Sequence, residues 1–216
     1  MTSGAALRLD HIVVGSTDLA EGVAWAEATL GVPPGGGGQH PKMGTHNALW
    51  SLGAVFFEVI AIDPQGSERS APRWYGLDHP ATQSKLAERP RLLAYAAEPT
   101  DLAATLAAAP VPLGRVETQT RGDLTWQFVV PEDGVPPVGG ALPALLKWQE
   151  GAVLPPARLP NAPLTLTDLV CTGGPAKLPE MLAAMGAAHL IRLEPGGETP
   201  ALRAEIDTPG GPVVLD

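Results

Sequence analysis

The amino-acid sequence predicts an α+β protein made of repeated β-α-β-β-β units. Three observations carry that prediction. The β-branched run Leu9-Asp10-His11-Ile12-Val13-Val14 leads straight into Ser16, Thr17 and Asp18, which are residues that cap helices. The same order of elements returns about 83 residues later, when Asp18-Leu19 is laid on Asp101-Leu102. The 25 Gly and 24 Pro fall between apolar runs with no fixed period, as expected of many short elements joined by tight turns.

Taken in order, the first strand spans Leu9 to Val14. A helix follows, with Asp18 and Glu21 forming the outline of a capping box, Leu19, Val23, Ala26 and Leu30 at near-helical spacing, and Gly31 as its stop. Extended segments are expected at Ala48 to Leu52 and Val55 to Ile62, with a further strand near Gly38 to Met43. The second unit has a strand at Leu92 to Ala97 and an Ala-rich helix to Ala109. Strands at Arg115 to Thr120, Leu124 to Val130 and Ala144 to Trp148 complete it. A third, shorter unit has a strand at Leu164 to Cys171, a helix at Pro179 to Met185, and strands at Ala188 to Leu193, Ala201 to Ile206 and Val213 to Leu215. The units therefore cover 7–63, 89–150 and 164–216, and the Pro-rich stretch 151–163 reads as a linker that supports neither helix nor central strand.

Composition narrows the function. A length of 216 residues with 44% hydrophobic content is enough to bury a core. The formal charge of −9, with 14 Lys and Arg scattered along the chain, opposes nucleic-acid binding. A lone cysteine, Cys171, forms no intrachain disulfide and reads as a buried small hydrophobe. With no signal-like h-region and no stretch approaching the roughly 18 apolar residues of a membrane span, the expectation is a cytoplasmic protein without membrane partners. Gly35 to Gly38 is followed by no Gly-Lys-Ser/Thr and opens no GxGxxG helix, so it reads as a flexible loop and no nucleotide cofactor is expected.

Three segments carry a family resemblance: Leu9-Asp10-His11-Ile12-Val13-Val14, Gly44-Thr45-His46-Asn47 and Phe56-Phe57-Glu58-Val59-Ile60-Ala61. They resemble the glyoxalase-like branch of the vicinal oxygen chelate superfamily, as do Arg121-Gly122-Asp123-Leu124-Thr125-Trp126 and Leu142 to Trp148 in the second unit. The third unit matches by element order alone. The resemblance implies βαβββ modules whose curved mixed sheets enclose a pocket. In active relatives that pocket holds a divalent metal (Fe, Mn, Ni or Zn) on a His of the first strand and a Glu of the last. It also implies chemistry of the lyase, isomerase or dioxygenase type on a small-molecule substrate, and a homodimer as a recurrent assembly.

Strand alternation independently places Leu9, His11 and Val13 on one face, and Phe56, Glu58 and Ile60 on one face of the later strand. A carboxylate and an imidazole in apolar rows need a cation, each other or solvent. Metal ligation by His11 and Glu58, a hydrogen-bonded pair and separate structural roles all satisfy that need. Glu58 is the candidate catalytic carboxylate, and His46 is a third candidate ligand or a loop residue satisfying backbone groups. Arg121, Trp126, Lys147 and Trp148 are candidate substrate-binding residues, with Arg121 or Lys147 holding an anionic end. The 83-residue register places Ala94 at the second module's His position, and matching Phe57-Glu58 with Leu146-Lys147 places Lys147 at its Glu position. The competing expectation is thus a metal-free binding protein on the same fold. His40 and His79 read as turn residues or as residues at a pocket mouth, and His189 as structural.

Overall fold

A computed structural model describes residues 6–216. Its first strand, β1 (Leu7–Gly15), runs into helix α1 (Leu19–Leu30) as the sequence predicts. Asp18 Oδ1 accepts the Glu21 N–H at 3.0 Å, and Gly31 ends the helix with φ 73°. Strands β2 (Gly36–His40), β3 (Thr45–Ser51) and β4 (Phe56–Ile62) complete the module. The glycine run is therefore not the expected flexible loop, because β2 pairs through its main chain with β3 and needs no side chains to do so. At Gly37 a Cβ would lie 2.2 Å from the Asn47 carbonyl oxygen, so the close pairing requires glycine there.

A short 3₁₀ turn (Trp74–Gly76) and helix α2 (Pro80–Leu86) fill the interval before the second module. That module comprises β5 (Arg91–Pro99), α3 (Leu102–Ala108), β6 (Arg115–Arg121), β7 (Leu124–Val130) and β8 (Ala144–Trp148). Asp101 repeats the cap of Asp18, accepting the Ala104 N–H at 2.9 Å. The Pro-rich stretch holds a single helical turn, α4 (Pro155–Arg158), contrary to expectation; its prolines occupy the first helical positions, where no N–H is needed. The last elements are β9 (Thr165–Thr172), α5 (Leu178–Ala184), β10 (Arg192–Glu194), β11 (Ala201–Thr208) and β12 (Gly211–Leu215). The strand expected from Ala188 shrinks to three residues, since Leu190 N–H closes a turn on the Ala187 carbonyl and His189 Nε2 meets the Leu7 carbonyl.

Eight strands form one curved mixed sheet in the order β2-β3-β4-β1-β5-β8-β7-β6. Its two edges approach each other, and Lys42 Nζ donates to the Thr118 carbonyl of β6 at 2.9 Å. The modules join through antiparallel β1 and β5, where His11 faces Ala96 and Val13 faces Ala94. That register is the two-fold relation expected of an internal duplication. The third unit keeps the element order but not the pairing, since its sheet runs β10-β9-β11-β12 with β10 parallel to β9. Its apolar residues, with those of α1 and α5, cover the outer face of the large sheet. The concave face holds a second cluster around Val13, Ile60, Trp74, Trp126, Phe128 and Trp148.

Candidate functional site

The concave cluster closes round a narrow cavity of about 20 Å³. His11 and Phe56 enter it from adjacent positions on β1 and β4, their rings stacked at 4.4 Å. Glu58 follows on the same face of β4. His11 Nε2 lies 3.4 Å from Glu58 Oε2 and 3.3 Å from the Tyr75 hydroxyl. Asn47 Nδ2 on β3 donates to Glu58 Oε1 at 2.5 Å, and its own Oδ1 accepts the Gly38 N–H at 2.9 Å. His11 Nδ1 meets Asp10 Oδ1 at 2.6 Å, while Asp10 Oδ2 accepts the Trp148 indole N–H at 2.8 Å.

Strict alternation would send Asp10 to the opposite face from His11. The β1–β5 register shifts between Leu9 and His11, so that Leu9 faces Ala97 and His11 faces the next residue, Ala96. Asp10 is the extra residue of a bulge, a device that re-aims side chains. The bulge also corrects the expectation that Leu9 shares the face of His11 and Val13: Leu9 packs with the outer cluster and Val13 with the concave one.

The electrostatics follow from this arrangement. Burial disfavours the His11 imidazolium, but hydrogen bonds and charge from Asp10 and Glu58 outweigh it and raise the pKa to about 9. Burial likewise opposes ionisation of Glu58, yet His11, together with His40 and Asn47, brings it down to about 2. At neutral pH the pair is imidazolium and carboxylate. His40 is driven by burial to about 4 and stays neutral, with Nδ1 3.1 Å from Thr45 Oγ1. Burial, then the charges of Glu58 and Asp10, hold the Tyr75 phenol well above its ordinary range, so it keeps its proton.

Of the residues singled out from sequence, His11, Glu58, Arg121, Trp126 and Trp148 line this pocket. Burial lowers the pKa of Arg121, whose guanidinium has no ion-pair partner among the described residues. Its side chain lies over Gly38, where a Cβ would come within 3.2 Å. Lys147 and His46 require correction. Lys147 faces Gln127 across the sheet, while its neighbours Leu146 and Trp148 take the pocket face. Its Nζ reaches outward to the Pro99 carbonyl at 3.1 Å and to Glu98 at 3.3 Å. His46 pairs with Ala61, on the face opposite Asn47, and its Nε2 is buried without a partner among the described residues.

Asp10, Asn47, Trp74 and Tyr75 were not anticipated as site residues, and His40, read as a turn or pocket-mouth residue, ends β2 and lines the pocket. Trp74 and Tyr75 come from the interval between modules, and Tyr75 holds φ 59°, a strained value for a non-glycine residue. An aromatic pair in a loop, ahead of a proline-initiated helix, is the sequence signal that could have drawn attention to them.

The residues present do not fit the divalent metal that the resemblance implies. Val13 pairs with Glu58 in the first module as Ala96 pairs with Ala144 in the second, so Ala94 and Ala144 occupy the second module's ligand positions. With His46 turned away, no group of three His, Cys, Asp or Glu side chains among the described residues is arranged to hold an ion.

Residues 9–186 match the family described as Glyoxalase-like domain. Among solved structures, a hypothetical protein from Staphylococcus aureus shares 14% identity, with 83% of this chain and 75% of that one covered at a TM-score of 0.58. Methylmalonyl-CoA epimerase from Mycobacterium tuberculosis shares 19% identity over 70% of this chain and 93% of that one, at 0.44. The Streptomyces coelicolor epimerase in complex with 2-nitronate-propionyl-CoA gives 19%, 68%, 99% and 0.43. No curated protein matches the sequence. No helix among the described residues is long and apolar enough to cross a membrane.

Proposed function

Because the chain belongs to the glyoxalase-like domain family of the vicinal oxygen chelate superfamily, we propose that its concave pocket is the active site of a small-molecule enzyme of isomerase or lyase type. The reaction begins with removal of a proton beside a carbonyl group. The observation that carries this reading is the buried chain Asp10–His11–Glu58, whose environments push an acid and a base apart within one pocket.

In the resting pocket each charge of the pair is neutralised by the other. A substrate carbonyl that takes the His11 Nε2–H removes the counter-charge from Glu58, and the basicity of the carboxylate rises as it does so. Glu58 then takes the carbon-bound proton while negative charge builds on the carbonyl oxygen. The imidazolium, held in orientation by Asp10, and the neutral Tyr75 hydroxyl stabilise that charge in a water-poor site. Return of the proton to another atom completes an isomerisation, and loss of a leaving group from the adjacent carbon completes an elimination. Arg121 binds the anionic end of the substrate.

The test is solvent deuterium exchange, followed by proton NMR, with pyruvate, oxaloacetate and acetoacetate in the presence of a chelator. Exchange above the buffer rate is expected, and Glu58→Gln should slow it by about a hundred- to ten-thousand-fold. Exchange that disappears on chelation and returns with added metal refutes the metal-free mechanism. Thermal stabilisation by these acids without any exchange would instead favour a binding protein.

A further inference from the structure

We propose that the pocket takes a flat conjugated acid, an aryl group carrying the enolisable carbonyl, in preference to an aliphatic one; this rests on the pocket being the active site. The polar lining residues are His11, His40, Asn47, Glu58, Tyr75 and Arg121, of which His11, Glu58 and Tyr75 meet one another. Between them the walls are aromatic. The Trp74 and Trp126 rings stand within 15° of parallel with centroids 6.4 Å apart. Trp148 lies 5.1 Å from Trp126, and Phe128 meets Trp74 edge-on at 4.9 Å. A conjugated ring stacks at about 3.5 to 4 Å from each neighbour, so a modest parting of these walls admits one.

Two other ligand classes fit less well. Aromatic walls also suit an organic cation, but the imidazolium of His11 and the guanidinium of Arg121 place positive charge in the lining. An alkyl chain would gain burial but none of the stacking that these walls offer. The indole N–H of Trp74 is buried and finds no acceptor among the described residues. A donor left in that state is costly, and a parting of the walls that uncovers it would let a ligand oxygen accept from it.

Benzoylacetate is the simplest probe. Its methylene gives a proton to Glu58 while its ketone oxygen accepts the His11 Nε2 proton, and Glu58 then returns its proton to His11. One C–H is exchanged for one O–H with no co-reactant. Acetoacetate differs only in carrying methyl in place of phenyl. Freshly prepared samples of both, titrated by calorimetry and tryptophan fluorescence, should show benzoylacetate binding at least about ten-fold more tightly. Trp126→Leu should remove most of that ratio, and tetramethylammonium should not bind. Equal affinities for the two acids in the unaltered protein, or tighter binding of tetramethylammonium, would overturn the aryl class. Deuterium exchange into acetoacetate would still support proton abstraction in that case. A ten-fold preference without exchange supports the aryl class and rejects catalysis.

Discussion

Raising the pH from 7 to 9 takes His11 to the midpoint of its titration while the carboxylates of Asp10 and Glu58 still face it. The folded pKa of about 9 lies above the ordinary 6.5, so the stabilisation is complete below pH 6.5 and disappears as pH rises through 9. A shift of that size corresponds to about 3 kcal/mol in all, of which about 2 kcal/mol is lost between pH 7 and 9. The assay is urea unfolding at pH 7, 8 and 9, with the slope held common. Glu58→Gln leaves only Asp10 opposite the imidazole, so its decline over the same window should be smaller. The buried Cys171 thiol, pushed up in pKa, adds to the decline near pH 9 in both proteins and cancels in the comparison. Identical declines in the two proteins, or a His11 ring resonance titrating near 6.5, would refute the clamp.

Two further outcomes follow from local geometry. Gly37→Ala drives a Cβ against the Asn47 carbonyl oxygen at 2.2 Å, which should cost about 2–4 kcal/mol in unfolding experiments and loosen the Asn47 amide that fixes Glu58. Arg121→Ala should weaken binding of acetoacetate or benzoylacetate by about ten-fold or more, whereas Lys147→Ala should leave it within about two-fold. Calorimetry on the two variants decides this, and equal losses would contradict the outward placement of Lys147.

The fold was largely legible because its signals are local. Asp18 and Asp101 cap helices at equivalent points, and the apolar runs between glycines are long enough to show their period. The convergence of His11 and Glu58 was legible for the same reason, since alternation fixes a face once a strand is recognised. What escaped depended on register. A bulge is invisible in a sequence that still alternates on both sides of it, so Asp10 could not be brought beside His11, nor Leu9 removed from its face. Lys147 was misplaced by aligning Phe57-Glu58 with Leu146-Lys147, whereas the strand pairing sets Glu58 against Ala144. A slip of one residue turns a side chain through the sheet, and here the slip was three. Trp74 and Tyr75 have no periodic context at all, lying in a turn whose position is set by tertiary packing.

The duplication divides the pocket unequally, and that division bears on what each module can control. The first module contributes Asp10, His11, Asn47 and Glu58, which together set the charge and hold it in place. The second presents Ala94 and Ala144 at the corresponding positions and contributes Trp126, Phe128, Leu146 and Trp148 as walls, with Arg121 at their edge. The two sets touch at one hydrogen bond, from the Trp148 indole to Asp10. Substitutions in β7 and β8 should therefore alter which ligand is held while leaving the His11 ionisation near its present value, whereas substitutions at His11 on β1 or Glu58 on β4 should alter the charge of the pocket and ligand affinity together. Trp148 is the exception, because its ring forms a wall and its N–H neutralises part of the charge that Asp10 directs at His11. Replacing it with phenylalanine should change ligand affinity and the His11 titration together, which Leu146→Ala should not do.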